Sequence, residues 1–221
     1  MISYISPLPD ATLLEEFPRS VMVLGSTGSI GVNALKVMAE RPEDFHVVGL
    51  AAGENAELLA EQARNWRPLC LGVLHENAAR RVRELLPSGY RPEIFVGPEG
   101  YAAMAALPEA RLVLSAQSGA AGLPSTLAAA RTGKIIALAN KESLVAAGDL
   151  VREACRASGA TILPVDSEHN AVFQAVAGHN FQDVRRIILT ASGGPLRGLT
   201  KDALALVTPE QALNHPNWSM G

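Results

Sequence analysis

The sequence has few cysteines, no large excess of either sign of charge and no long apolar run. Its 221 residues include two cysteines, Cys70 and Cys155, which lie far apart without a CxxC pair and argue against a disulfide framework or a structural zinc site. Nineteen basic and 22 acidic residues are interspersed and give a net charge of -3, so neither nucleic acid nor a membrane is expected as a partner. No apolar run reaches the roughly 18 residues that a bilayer-spanning helix needs.

The first 20 residues carry three prolines together with Asp10, Glu15 and Glu16. This composition fits neither a signal peptide nor an arginine-rich transit peptide. We therefore predict an N-terminal extension over 1–20 that packs on the outside of the fold, and a cytoplasmic protein. With 48% hydrophobic residues, the rest of the chain can bury a globular core.

Apolar runs rich in β-branched residues alternate with amphipathic segments from Val21 onward. The predicted strands cover 21–25, 46–53, 68–74, 93–97, 111–117, 134–140 and 160–166. Helical patterns with stop signals cover 32–40, 56–66, 76–86 and 123–131. This alternation predicts an α/β domain over 21–160, with a Rossmann-like, doubly wound and mostly parallel sheet. Ligands of such sheets bind beyond the carboxyl ends of the strands.

The pattern changes after Asp166. A helix-like run from His169 is followed by a predicted strand over 184–190, the glycine-rich turn ASGGP and a polar tail with prolines. These changes predict a boundary near 160–166 and the beginning of an α+β catalytic domain over 161–221. The segment 192–221 has few apolar anchors and is predicted to form a mobile lid.

The motif GSTGSIG, over 25–31, follows the first strand and opens the first helix. Glycines at this spacing allow a tight turn and the close approach of a dinucleotide pyrophosphate to the helix N-terminus. The predicted backbone donors are Thr27, Gly28, Ser29 and Ile30. The alternative is a tight turn whose glycines serve packing alone. No acidic residue ends the second strand, which favours NADP, although Glu54 follows closely and leaves NAD open.

Two polar motifs follow later strands. Asn140, Lys141 and Glu142 lie at a strand tip, where the lysine can bind an oxyanion; the alternative is a solvated turn with a surface ion pair. If the chain stays extended through Glu168, Asp166 and Glu168 face the same side and offer hard oxygen ligands to Mg²⁺ or Mn²⁺. Alternatively, Asp166 or Ser167 caps the next helix, and the spacing alone leaves both open.

Five stretches together resemble the 1-deoxy-D-xylulose 5-phosphate reductoisomerase family, namely GSTGSIG (25–31), LANKESLV (138–145), PVDSEHNAVFQ (164–174), TASGGPLR (190–197) and HPNWSMG (215–221). The resemblance implies an enzyme dependent on NADPH and on Mg²⁺, Mn²⁺ or Co²⁺. It implies that this enzyme rearranges a small phosphorylated ketose, 1-deoxy-D-xylulose 5-phosphate, and reduces it to 2-C-methyl-D-erythritol 4-phosphate. It also implies a homodimer for the full-length protein.

The resemblance assigns roles to individual residues. It implies cofactor contacts at Thr27, Gly28, Ser29, Ile30, Gly53, Asn55, Asn140, Glu142 and Gly221. It implies substrate contacts at Lys141, Ser167, Glu168, Ser192, His215 and Trp218. It implies metal ligation by Asp166 and Glu168 and a catalytic role for both and for Lys141.

The family continues beyond the position of Gly221, so we expect the 221 residues to be about the first half of the enzyme and inactive alone. Two other hypotheses stay open at this point. One is a non-catalytic module that binds NADPH, and the other is a different dinucleotide-dependent reductase.

Overall fold

The computed structural model describes residues 5–6, 17–177, 179–190 and 194–214. The chain divides into two compact units, Met1–Asn170 and Ala171–Gly221. No helix in the described ranges is long and apolar enough to cross a membrane.

A seven-stranded sheet forms the centre of the first unit, and every pair of neighbouring strands in it is parallel. The strands are β1 (Arg19–Leu24), β2 (Phe45–Ala51), β3 (Cys70–Val73), β4 (Glu93–Val96), β5 (Leu112–Ser115), β6 (Ile135–Leu138) and β7 (Thr161–Pro164). Their order across the sheet is β4-β3-β2-β1-β5-β6-β7. The chain changes direction of winding between β1 and β5, and a crevice is expected at that point.

Helices connect successive strands. They are α1 (Ser29–Ala39), α2 (Ala56–Trp66), α3 (Glu76–Leu85), α4 (Gly97–Ala106), α5 (Leu123–Arg131) and α6 (Glu142–Ser158), with a 3-10 turn at Gly119–Gly122 before α5.

The alternation of side chains along β1 explains how the helices cover both faces. Val21 and Val23 pack in one core cluster with buried residues of α1, α2 and α3. Met22 and Leu24 pack in the other cluster with buried residues of α4, α5 and α6. All four side chains are fully buried, as expected for a central strand with helices on both sides. The doubly wound sheet predicted from the sequence is therefore confirmed.

All seven predicted strands are present, and the predicted helices 56–66 and 123–131 have the same bounds as α2 and α5. Helix α1 begins at Ser29 rather than at Val32, because the glycine motif itself forms its first turn. Helix α4 was not predicted. Gly97 and Pro98 are typical of turns, but here Gly97 has a φ of 76° and Pro98 lies in the first turn, where its missing N–H is not needed.

Two described residues of the N-terminal extension lie against the edge strand. The Ser6 hydroxyl oxygen accepts a hydrogen bond from the Ile162 amide of β7 at 2.9 Å. Ile5 packs against the core cluster that contains Met22. These contacts satisfy an amide on the outer side of β7 that has no further strand to pair with.

Both cysteines are free thiols, and both are buried. Burial raises the pKa of Cys70 to about 12 and also raises the pKa of Cys155. Neither thiol is therefore a thiolate near neutral pH.

The second unit contains short elements. Helix α7 (Ser167–Val176) spans the division between the units, and α8 (Lys201–Leu204) and α9 (Pro209–Leu213) follow two 3-10 turns at Phe181–Asp183 and Gly194–Leu196. Thr208 and Gln211 form a reciprocal capping box at the start of α9.

The predicted strand over 184–190 is wrong for the described part of the chain, since no strand there pairs with this segment. Ile187, Ile188 and Leu189 are exposed. An apolar run forms a strand only where a neighbouring edge accepts hydrogen bonds from its amides and donates hydrogen bonds to its carbonyls. The predicted boundary near 160–166 stays a prediction, although β7 still pairs with β6 in the sheet.

Candidate functional site

The glycine motif forms a tight junction between β1 and α1. Gly25 has a φ of 92°, and a Cβ there would lie 2.5 Å from the Ala116 carbonyl oxygen. A Cβ on Gly31 would lie 2.3 Å from the Gly25 carbonyl oxygen. Both distances are shorter than real Cβ contacts. Glycine is therefore required at position 25 by the nearby segment after β5, and at position 31 by the close packing of α1 on the loop.

The N-terminus of α1 is open to a ligand. Gly28 is its N-cap residue, with extended φ and ψ and no side-chain capping bond, and the first turn holds no acidic residue. Thr27 is half-buried, whereas Gly28, Ser29 and Ile30 are exposed. Because the first amides of a helix have no intrahelical acceptor, this end can bind an anion.

A cavity of about 280 Å³ lies next to this helix end. Its walls come from the glycine loop, the end of β2 and the segment that follows β5, together with Leu74 and Tyr101. The Tyr101 hydroxyl donates to the Ala52 carbonyl at 2.6 Å. Burial raises the pKa of Tyr101 to about 12, so the phenol remains a donor near neutral pH. This bond holds the end of β2 at the cavity wall.

The loop after β2 contains two predicted cofactor residues, Gly53 and Asn55. A Cβ on Gly53 would have no atom within 4 Å, so the backbone there is open to a ligand. The Asn55 side chain accepts from the Leu58 amide at 3.0 Å and caps α2. The exposed Glu54 carboxylate lies 4.0 Å from His75 Nε2. Glu54 therefore extends toward the loop that follows β3.

Asn140 is 1% exposed, and its side chain makes four hydrogen bonds to the protein. Its Nδ2 donates to the carbonyls of Gln117 at 2.6 Å and Gly119 at 2.8 Å. Its Oδ1 accepts from the Ser143 amide at 3.1 Å and from the Ser143 hydroxyl. These bonds use the full capacity of an amide side chain. Asn140 thus joins the start of α6 to the segment that forms one wall of the cavity.

We expect Asn140→Asp to destabilise the protein by about 2–4 kcal/mol, because two buried carbonyls lose their donor and face a carboxylate instead. Urea denaturation measures this change. Asn65→Asp, on the exposed side of α2, makes the same chemical change and should alter stability by less than about 0.5 kcal/mol. Equal effects of the two substitutions would contradict the role of Asn140.

A second polar group lies where β6 and β7 end. Lys141 Nζ is 2.7 Å from Asp166 Oδ2, and His169 Nδ1 is 3.7 Å from Asp166 Oδ1. The pKa of Asp166 is lowered, mainly by the hydrogen bond from Lys141. Burial acts in the opposite direction and raises it, whereas the charges of Lys141 and His169 and the neighbouring Glu168 lower it further. The same bond with Asp166 raises the pKa of Lys141. An ionised carboxylate therefore faces a protonated amine at the carboxyl edge of the sheet.

The chain does not stay extended through Glu168, which corrects the prediction from the period of two. Helix α7 begins at Ser167, the Asn170 amide donates to the Asp166 carbonyl at 2.8 Å, and Glu168 lies in the first turn. The backbone at Asp166 and Ser167 is therefore the start of a helix, as in the alternative interpretation of this stretch. Metal ligation by Asp166 and Glu168 stays a prediction, and in this structure the Lys141 ammonium group contacts one oxygen of Asp166.

The donor set fits part of a site for a hard divalent cation. Asp166 and Glu168 supply carboxylate oxygens, the ligands that Mg²⁺ and Mn²⁺ prefer. Within the ranges that the structure describes, no group of three His, Cys, Asp or Glu side chains surrounds one point.

Several residues of the site were not predicted from the sequence. Tyr101 was missed together with α4. Gln117 lies at the tip of a predicted strand and could have been found by the rule that ligands bind at strand ends. His169 lies within the polar stretch that drew attention to Asp166. Ser192, His215, Trp218 and Gly221, which the resemblance placed in the site, lie outside the described residues.

The fold and these two groups define a doubly wound α/β protein with a glycine loop of the kind that binds dinucleotides and a lysine–carboxylate cluster at the same sheet edge. The family model for 1-deoxy-D-xylulose 5-phosphate reductoisomerase matches residues 21–148, and the model for the C-terminal domain of that enzyme matches residues 162–221. The chain belongs to the 1-deoxy-D-xylulose 5-phosphate reductoisomerase family, as the sequence predicted.

Relatives and solved structures agree with this membership. The chain is 62% identical over its whole length to the enzyme of this name from Oleidesulfovibrio alaskensis and 55% identical to that from Lawsonia intracellularis. It covers 54% and 55% of those proteins and thus spans about half the length of the curated relatives it matches.

Two solved structures share the fold. The enzyme from Zymomonas mobilis in complex with NADPH is 44% identical, with a TM-score of 0.83 over 90% of this chain and 52% of that one. A reductoisomerase in complex with NADPH, fosmidomycin and magnesium is 38% identical, with a TM-score of 0.80 over 92% and 52%.

Proposed function

We propose that this chain is the cofactor-binding part of an enzyme that converts 1-deoxy-D-xylulose 5-phosphate into 2-C-methyl-D-erythritol 4-phosphate by isomerisation and NADPH-dependent reduction. One observation carries the proposal. The cavity at the ends of β1, β2 and β5 and the Lys141–Asp166 pair at the ends of β6 and β7 lie on one edge of one sheet, in a chain of this family.

NADPH is the proposed cofactor. The open amides of 27–30 at the start of α1 would bind its pyrophosphate, and the exposed backbone at Gly53 and Asn55 would lie beside its adenosine ribose. The exposed Glu54 carboxylate lies 4.0 Å from His75 Nε2, and a 2′-phosphate would require Glu54 to stay on that side of the loop. The solved complexes of relatives with NADPH support this choice. Asn140, whose side chain holds the cavity wall, Glu142 and Gly221 complete the proposed cofactor set.

Asp166 and Glu168 are the proposed ligands of a divalent cation, Mg²⁺ or Mn²⁺ and also Co²⁺, and a magnesium-bound relative supports this class of ion. When bound, such an ion supplies Lewis-acid stabilisation of negative charge on the oxygens of the ketose. Lys141 would contribute a second positive charge. Its ammonium group is half-exposed and remains protonated beside Asp166, so it can donate to a substrate oxygen.

Ser167 and Glu168 would contact the substrate from the start of α7, with Ser192, His215 and Trp218 from the segment proposed as a lid. The substrate is a small phosphorylated ketose, which the fosmidomycin complex of a relative supports. The full-length protein is proposed to be a cytoplasmic homodimer.

The test uses protein that spans the whole length of its relatives, mixed with 1-deoxy-D-xylulose 5-phosphate, NADPH and Mn²⁺ or Mg²⁺. We expect oxidation of NADPH, followed by absorbance, that requires both the ketose and the metal. NADPH binding without any turnover would favour a non-catalytic binding module instead. Turnover of another carbonyl substrate but not of this ketose would favour a different dinucleotide-dependent reductase.

A further inference from the structure

Gln62 is a buried polar residue on the apolar face of α2. Leu59 and Ala63, which flank it on this face, are fully buried core residues. The Gln62 Nε2 donates to the Ser26 carbonyl at 2.8 Å, across 36 residues of sequence. Its Oε1 is buried without a hydrogen-bond partner in the described part of the chain. A methionine or leucine would fill this space without burying an unpaired oxygen, so packing alone does not account for the amide.

Hydrogen bonds to the Ser26 backbone restrain two successive peptides of the glycine loop, Gly25–Ser26 and Ser26–Thr27. The Ser26 amide donates to the Ala51 carbonyl at 2.7 Å, which ties the loop to the end of β2. Gln62 then holds the Ser26 carbonyl from the side of α2. Ser26 itself is fully buried, so neither of these backbone groups can turn to water instead.

The direction of this carbonyl determines the direction of the next amide. In a planar trans peptide, the C=O of Ser26 and the N–H of Thr27 point in opposite directions. When the carbonyl points to α2, the Thr27 amide must point away from α2. Thr27 and Gly28 line the cavity beside the α1 N-terminus, where the proposed cofactor would place its pyrophosphate.

We propose that Gln62 is a positioning residue for the cofactor pyrophosphate, acting through the Ser26–Thr27 peptide rather than by contact with the cofactor. This inference rests on the proposed binding of NADPH. Without a donor at Gln62, the peptide can rotate about its flanking bonds, and the Thr27 amide is no longer held in the orientation that a phosphate oxygen requires.

The main test is Gln62→Met, which keeps the volume and removes the donor. In full-length protein, we expect the Kd for NADPH to rise about tenfold, as for the loss of one oriented hydrogen bond. Adenosine 2′-phosphate has no pyrophosphate, so its Kd should change less than about twofold. The kcat at saturating NADPH and the KM for the ketose should also change less than about twofold. Calorimetry and initial rates give these values.

Leu59→Val is the matched control, because it shortens a buried side chain on the same face of α2 and leaves the Ser26 bond in place. It should bind NADPH as the wild type does. Gln62→Leu is a second variant, because its side chain has no donor at any pH, and we expect it to lose at least as much affinity as Gln62→Met.

The outcomes separate this inference from the proposed function. Wild-type protein that does not bind NADPH would overturn both. Wild-type protein that binds NADPH, with either Gln62 variant binding it equally well, would overturn the positioning role alone. An equal loss of affinity for NADPH and adenosine 2′-phosphate, or a loss shared by Leu59→Val, would indicate a general disturbance of α2 and would also overturn it.

Discussion

Asp166→Asn is expected to lower the rate of metal-dependent NADPH oxidation by about a thousandfold in the full-length protein. The substitution removes the charge of a proposed metal ligand, and a metal acting as a Lewis acid contributes several kcal/mol to the stabilisation of a charged transition state. It also leaves Lys141 without the carboxylate that lies 2.7 Å from its ammonium group. Glu168→Gln should have an effect of the same order. Initial rates over a range of Mn²⁺ concentrations would measure both.

Asp149→Asn provides the matched control for these two variants. Asp149 lies on α6 with its side chain 98% exposed, so the same chemical change should leave the rate within about twofold of the wild type. Electron paramagnetic resonance of Mn²⁺ gives a readout that does not depend on turnover, and the ion should bind more weakly to Asp166→Asn than to Asp149→Asn. Full activity of either Asp166→Asn or Glu168→Gln would refute the metal assignment.

The strands were predictable because their signal is local. The alternating side chains of β1 are buried on two faces, so the sequence reads as a continuous apolar run with β-branched residues. The ends of these strands were also predictable from the local apolar pattern. The glycine loop, Lys141 and Asp166 follow such strand ends and could therefore be identified from the sequence. Position along the chain, however, does not determine what a side chain contacts.

The contacts that shape the site depend on residues distant in sequence. Tyr101 reaches Ala52 across 49 residues and Gln62 reaches Ser26 across 36, and no local pattern encodes either bond. The position of Asn140 at a strand tip was predictable, but the partners of its side chain were not. The side chain hydrogen-bonds to the Gln117 carbonyl and the Ser143 amide of the protein itself. The period-of-two argument failed at Glu168 because β7 ends at Pro164 and a helix begins at Ser167, three residues later.

Gly31→Ala is expected to weaken NADPH binding by at least about a hundredfold. The added Cβ would lie 2.3 Å from the Gly25 carbonyl oxygen and 2.6 Å from the Ser26 Cα, both of which are backbone atoms. Backbone cannot move aside as a flexible side chain can, so α1 must shift away from the loop. The amides at the start of α1 would then no longer converge on one phosphate, a loss of about 2.7 kcal/mol or more in binding free energy. Titration of full-length protein with NADPH measures it.

Gly148→Ala is the control, since it makes the same substitution in another helix, α6, where a Cβ would have no atom within 4 Å. It should leave the Kd for NADPH unchanged and raise the free energy of unfolding by about 0.5–1 kcal/mol, because alanine restricts the unfolded chain more than glycine does. Urea denaturation of both variants separates binding from stability. If Gly31→Ala bound NADPH within about threefold of the wild type, α1 could shift without harm, and the close packing of α1 on the loop would not be what prepares the pyrophosphate site.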